Sequence, residues 1–268
     1  MPSTNTIKAH PLIAFFVLAY LLSWTSFYVL GGPFLFPFGS VLAAVIVAAA
    51  TQGRVGLRDL FFRCLSWHVS PLWYLLAIAL PVTIALGALF LNASSGSRVT
   101  AGEEPFVWYQ FFLMLPVALI DAPLWEEAGW RGFAMPRSSA KRSRLFNTFI
   151  LGLLLAGWHL PIALSGGRLA VPYVVTTLLS AFVTNWIYYN ARESALLAML
   201  YHASANAMGI VFFQGRSDDD LLHLYWFLAG MNFVAAIILI LAQRNSWLNP
   251  QPATPPPNAT SLSQTGLT

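Results

Sequence analysis

Two carboxylates stand side by side at Glu126-Glu127, at the end of a long apolar run, and Ala128-Gly129-Trp130-Arg131 follows them. On a helix Glu127 and Arg131 are four residues apart and share a face, so they can pair. Glu126 is five residues before Arg131 and about 100° around the axis from Glu127. One carboxylate can therefore be neutralised while the other stays free for work. Three more polar residues occur in apolar surroundings: His159, His202 and Asn206. His202 and Asn206 are again one turn apart on a shared face. A carboxylate near a histidine can hold a water and take its proton. A second histidine and an amide NH2 can donate hydrogen bonds to an oxyanion. Together these groups suit hydrolysis of an amide. Two histidines and a glutamate are also a zinc ligand set, so Glu126, His159 and His202 would be the ligands if a divalent metal such as zinc binds. There is no His-Glu-x-x-His helix, however, and asparagine is a poor zinc ligand.

The elements that must position these groups are membrane helices. The 268 residues are 57% hydrophobic and only 9% charged, against about 25% charged in ordinary soluble domains. Mean hydropathy is +0.66. No soluble fold of this size hides so much apolar surface, so the solvent is lipid. An ionisable group at membrane depth costs roughly 2.5–3.5 kcal/mol on insertion scales, which makes an intramembrane carboxylate pair a functional candidate.

A helix needs about 20 apolar residues to cross the bilayer. Such runs lie near 11–31, 34–51, 71–92, 106–130, 145–165, 170–190, 194–213 and 221–243. The first is too long for a signal-peptide core and has no small-residue cleavage site at its end. The reading is an all-α, polytopic transmembrane bundle of about eight helices with a catalytic cavity inside it. Residues 1–10 form an N-terminal segment, 11–248 the bundle, and 249–268 a Pro-, Ser- and Thr-rich tail too polar to fold.

Charge sets the orientation. With the N-terminus in the cytoplasm, the connection 52–70 places Arg54, Arg58 and Arg63 inside. The next inner connections add Arg137, Lys141, Arg142, Arg144 and Arg192. Counting Lys8, Arg131 and Arg244, eleven of the fourteen basic residues are internal, as the positive-inside rule requires. The outer connections hold Arg98, Arg168 and Arg216 with Glu103, Glu104 and Asp218-Asp219-Asp220. Both termini are then cytoplasmic. The net charge of +4 reflects this asymmetry and not a nucleic-acid partner.

Other polar residues have simpler readings. Asp121 precedes Pro123; it could tune the glutamates or line an entry path, and a helix kink or an interface fits it better. His10, His68 and His223 fall at membrane boundaries, and Trp67, Trp73, Trp108 and Trp226 fit an aromatic belt. Ser204 lies two residues from His202, on the other side of the helix, which disfavours it as a nucleophile. The lone Cys64 rules out an intramolecular disulfide and reads as a small hydrophobe.

Three motifs in order carry a resemblance: Glu126-Glu127-Ala128-Gly129-Trp130-Arg131, then Leu155-Ala156-Gly157-Trp158-His159, then His202-Ala203-Ser204-Ala205-Asn206. They resemble those of the CPBP intramembrane proteases, a family that contains type II CAAX prenyl endopeptidases and bacterial proteins linked to bacteriocin self-immunity. The approach Ser194–Tyr201 and the segment Gly56-Leu57-Arg58-Asp59-Leu60 are also of the family's type. The second motif usually begins with Phe where this chain has Leu155, an apolar exchange that touches packing more than chemistry. The likeness covers a core of about 106–213. It implies Glu126 as the general base assisted by His159, His202 and Asn206 as the oxyanion hole, and Glu127 and Arg131 as supporting residues. Family members are often labelled metalloproteases. The implied partners are the lipid bilayer and a membrane-associated protein or peptide substrate, in a bacterial cytoplasmic membrane. A non-proteolytic scaffold or self-immunity factor on the same fold is the alternative. A transporter using the carboxylates as a proton relay is a third, disfavoured because no paired repeat halves are visible.

Overall fold

The computed structural model describes residues 4–31, 35–96, 108–138 and 141–250. Arg98, Glu103, Glu104 and most of the polar tail lie outside these described residues. Among the described residues every regular element is helical: α1 (Thr4–Ala9), α2 (Pro11–Tyr28), α3 (Phe38–Cys64), α4 (Pro71–Ser94), α5 (Tyr109–Asp121), α6 (Pro123–Glu127), a π-helical stretch (Ala128–Ala134), α7 (Arg144–Trp158), α8 (Leu160–Ser165), α9 (Ala170–Asn190), α10 (Ala195–Phe212), α11 (Asp218–Ala242) and α12 (Arg244–Leu248). Among the described residues six helices are long and apolar enough to cross a membrane: α2, α3, α4, α9 with its preceding turn, α10 and α11. The chain is an all-α integral membrane bundle.

Two of the eight expected spans are not continuous. The run 106–130 breaks after Asp121, where Ala122 takes φ −136° and ψ −49°. Pro123 forces this, because its ring disfavours helical geometry in the residue before it, and it then starts α6. From Ala128 the chain widens into a π turn, a form that often marks functional sites. The run 145–165 breaks at His159, which joins α7 to α8. Pro161 in the first turn of α8 has no N–H to continue the ladder of α7. Broken helices are tolerated at membrane depth where they are buried in protein or line a cavity, and the site residues sit at both breaks.

The second span also differs. It runs on to Cys64 across a kink at Gly53 (φ 60°, ψ −138°), a conformation open to glycine and not to residues with a Cβ. Arg54, Arg58 and Arg63 therefore lie on helix and not on a loop. Arg63 is buried between Asp59 at 3.0 Å and Glu193 at 3.3 Å. That contact ties α3 to the left-handed turn Arg192-Glu193 (φ 56° and 55°) leading into α10. Ser194 then caps α10, accepting from the Leu197 N–H and donating to the Ser66 carbonyl at 2.6 Å.

The bundle is organised around α10. It packs against α4, α5, α6 and α9, and half of its apolar window is buried, against 17% for the peripheral α2. Ala195, Ala198, Ala203 and Ala207 are fully buried, and such small side chains let neighbouring helices approach closely. Beside it, Gly129 allows α3 to touch the π turn: a Cβ there would lie 2.8 Å from the Ser40 Cβ. Ser40 also donates to the Trp125 carbonyl at 3.1 Å. The outer surface carries exposed Leu21, Phe90 and Leu241, as lipid requires.

Candidate active site

Glu126 and Glu127 end α6 and are both buried, at 5% and 2% exposure. Their surroundings differ completely. Glu127 accepts from Arg131 Nη1 through both oxygens, at 2.9 and 2.8 Å. Arg131 in turn donates from Nε to Asn185 Oδ1 on α9 at 2.9 Å, and Asn185 Nδ2 donates to Thr148 Oγ1 on α7 at 3.0 Å. On its other side Glu127 Oε1 accepts from His202 Nδ1 on α10 at 3.0 Å. One unbroken polar chain thus runs Thr148–Asn185–Arg131–Glu127–His202 through five elements of the bundle. A buried carboxylate is tolerable when it is paired and fully hydrogen-bonded.

Glu126 has no such partner. Its Oε2 is buried without a hydrogen bond. It borders a cavity of about 620 Å3 that also takes in Asp121, Glu127, Arg131, His159, His202 and Asn206. Pockets of 300–1,000 Å3 are usual for ligand sites. All six expected site residues therefore meet on one internal space. Asp121 joins them, at the helix break and not merely at a kink. Ser204 does not: it is fully buried and donates to the Leu200 carbonyl at 2.8 Å.

His159 is oriented from behind. Its Nδ1 lies 2.9 Å from the Leu155 carbonyl, which only accepts, so Nδ1 carries the proton. In the neutral ring the lone pair is then on Nε2. The ring rests edge-on against Trp158 and against Tyr173 of α9, at centroid distances of 4.7 and 5.8 Å. His202 shows the same logic with a different partner. Its Nδ1–H is committed to Glu127, and Nε2 is the ring's remaining polar atom.

Asn185, Thr148 and Tyr173 were not singled out from sequence. Asn185 had a legible signal, an amide inside the apolar run 170–190, but amides carry no charge penalty to draw attention. Thr148 and Tyr173 had none.

The metal alternative finds no support in the donor geometry. Among the described residues no three His, Cys, Asp or Glu side chains converge as a metal-binding group. Glu127, the carboxylate that touches His202, is already taken by Arg131. The label metalloprotease is therefore unsupported.

Residues 108–208 match the family described as Type II CAAX prenyl endopeptidase Rce1-like. This stretch is similar to that family. It begins just before α5 and ends inside α10, so it holds both helix breaks and all six site residues. The match supports the CPBP resemblance drawn from the three motifs, and with it a membrane protease activity of CAAX type. No curated protein gives a match to the chain.

Proposed function

We propose that this protein is an intramembrane endopeptidase that hydrolyses a peptide bond of a membrane-associated protein or peptide with water activated by Glu126. The observation that carries the proposal is the division of the carboxylate pair: Glu127 is consumed by Arg131 and His202, while Glu126 is buried, unpaired and on the cavity.

In this reading Glu126, with His159 Nε2, holds a water and accepts its proton as the oxygen attacks the scissile carbonyl carbon. The carbonyl oxygen becomes an oxyanion, which takes hydrogen bonds from the Asn206 amide and from Nε2–H of a doubly protonated His202. Collapse breaks the C–N bond. The proton held by Glu126 passes to the leaving nitrogen, so the products are a carboxylic acid and an amine. Glu127 and Arg131 hold His202 in place. No metal-bound step is required. The substrate enters an internal cavity because lipid-exposed, unpaired peptide backbone is not tolerated at this depth.

The test compares membrane peptides and proteins from cells carrying the wild type with those carrying Glu126→Ala. A specific uncut precursor accumulates in the variant. Identical profiles, with the variant folded and present at wild-type level, would overturn the proposal.

A further inference from the structure

The polar groups of the cavity are not all on the catalytic elements. Asn232, on α11, lies outside both the matched segment and the three motifs. It is 4% exposed and lines the cavity. Its Nδ2 donates to the Leu228 carbonyl one turn back, at 2.9 Å. This bond sets the amide's orientation, since the reverse placement would put two acceptors together. Oδ1 is left buried with no partner.

The neighbouring wall of α9 has the same character. Thr177, Ser180 and Thr184 line the cavity, and each hydroxyl donates to a carbonyl of its own helix, Tyr173, Thr177 and Ser180 in turn, at 2.9–3.0 Å. Thr176 donates to the Tyr225 carbonyl of α11 at 3.3 Å. With their hydrogens spent, these hydroxyls offer the cavity lone pairs only. These four hydroxyls of α9 and the Asn232 Oδ1 of α11 are therefore acceptors. Among the other residues lining the cavity, Arg131, His202 and Asn206 on the π turn and α10 carry N–H donors, and the Tyr173 and Tyr225 hydroxyls on α9 and α11 can donate as well as accept.

We infer that Asn232 Oδ1 receives a backbone N–H of an extended substrate peptide and so sets the register in which the scissile carbonyl meets His202 and Asn206. An extended peptide is the ligand whose chemistry fits, because it presents N–H and C=O groups to opposite sides, and a buried acceptor left unpaired is costly. Asn232 is a substrate-binding residue here and takes no part in proton transfer. The inference rests on the endopeptidase reading.

The experiment uses the full-length protein in liposomes and, as probe, a synthetic peptide spanning the cut of the precursor that accumulates with Glu126→Ala. If no precursor accumulates, the endopeptidase reading has failed and this inference falls with it. Given the precursor, Asn232→Leu raises KM about tenfold, the size of one lost backbone hydrogen bond, and leaves kcat within about twofold. The peptide's amides are then N-methylated one at a time. One methylation raises KM for the wild type and adds nothing for Asn232→Leu, a coupling that a merely structural role would not produce. Asn232→Ala, which adds no bulk to the wall, gives the same comparison if the leucine variant does not fold. An unchanged KM, or equal N-methylation penalties in wild type and variant, overturns the inference while leaving the endopeptidase reading intact.

Discussion

His202 Nδ1 lies 3.0 Å from Glu127 Oε1, joining α10 to α6 across 75 positions of sequence. The same carboxylate holds Arg131 four residues away at 2.8 Å. Glu127 is thus the junction of the site, and replacing it has two consequences. Glu127→Gln leaves the buried Arg131 without its counter-charge, and breaking a buried pair from one side costs about 3–5 kcal/mol. The thermal midpoint in detergent falls, and cleavage falls with it.

Glu126→Gln behaves in the opposite way for stability. No ion pair or hydrogen bond of Glu126 is lost, because its buried Oε2 has none. The midpoint stays at the wild-type value or rises, while cleavage is abolished. A drop in midpoint as large as that of Glu127→Gln would show that the two carboxylates share one structural role.

Asn185→Leu removes the partner of Arg131 Nε and of Thr148 Oγ1 together. Leaving a buried donor unsatisfied costs about 1–3 kcal/mol, more when it is charged. The variant unfolds earlier, and kcat falls by a larger factor than KM changes, because the loosened guanidinium lets Glu127 and His202 drift. Circular-dichroism melting alongside single-substrate kinetics reads both effects.

His159→Asn preserves a donor near the Leu155 carbonyl but lacks any counterpart of Nε2. The variant keeps its melting behaviour and loses activity by about 10²–10⁴-fold, the range for a missing acid–base group. Asn206→Leu lowers kcat by about 10²–10³-fold, the usual effect of losing one oxyanion donor. Wild-type rates in either variant would remove that residue from the mechanism.

Exhaustive dialysis against a strong chelator leaves cleavage unchanged, since no metal-binding group of three side chains forms among the described residues. Activity lost on dialysis and regained with zinc alone would reverse this expectation.

The sequence by itself determined the solvent, the helical class and the local half of the site. Apolar runs of about 20 residues mark membrane helices whatever they pack against. The Glu127–Arg131 pair was legible because both members lie within one turn and a half of backbone, where helical spacing alone places them together. The prolines that break the two inner helices were visible, but the outcome was not: whether a helix kinks or stops depends on what receives its freed backbone groups. Only the tertiary structure decided that Glu127 has a second partner in His202, that Asn185 and Thr148 anchor Arg131, and that Glu126 is left alone on the cavity. The physical reason is range. Local spacing governs contacts a few residues apart, whereas the meeting of Glu126 with His159, His202 and Asn206 follows from packing α6, α7, α9 and α10 around one space, which no local pattern encodes.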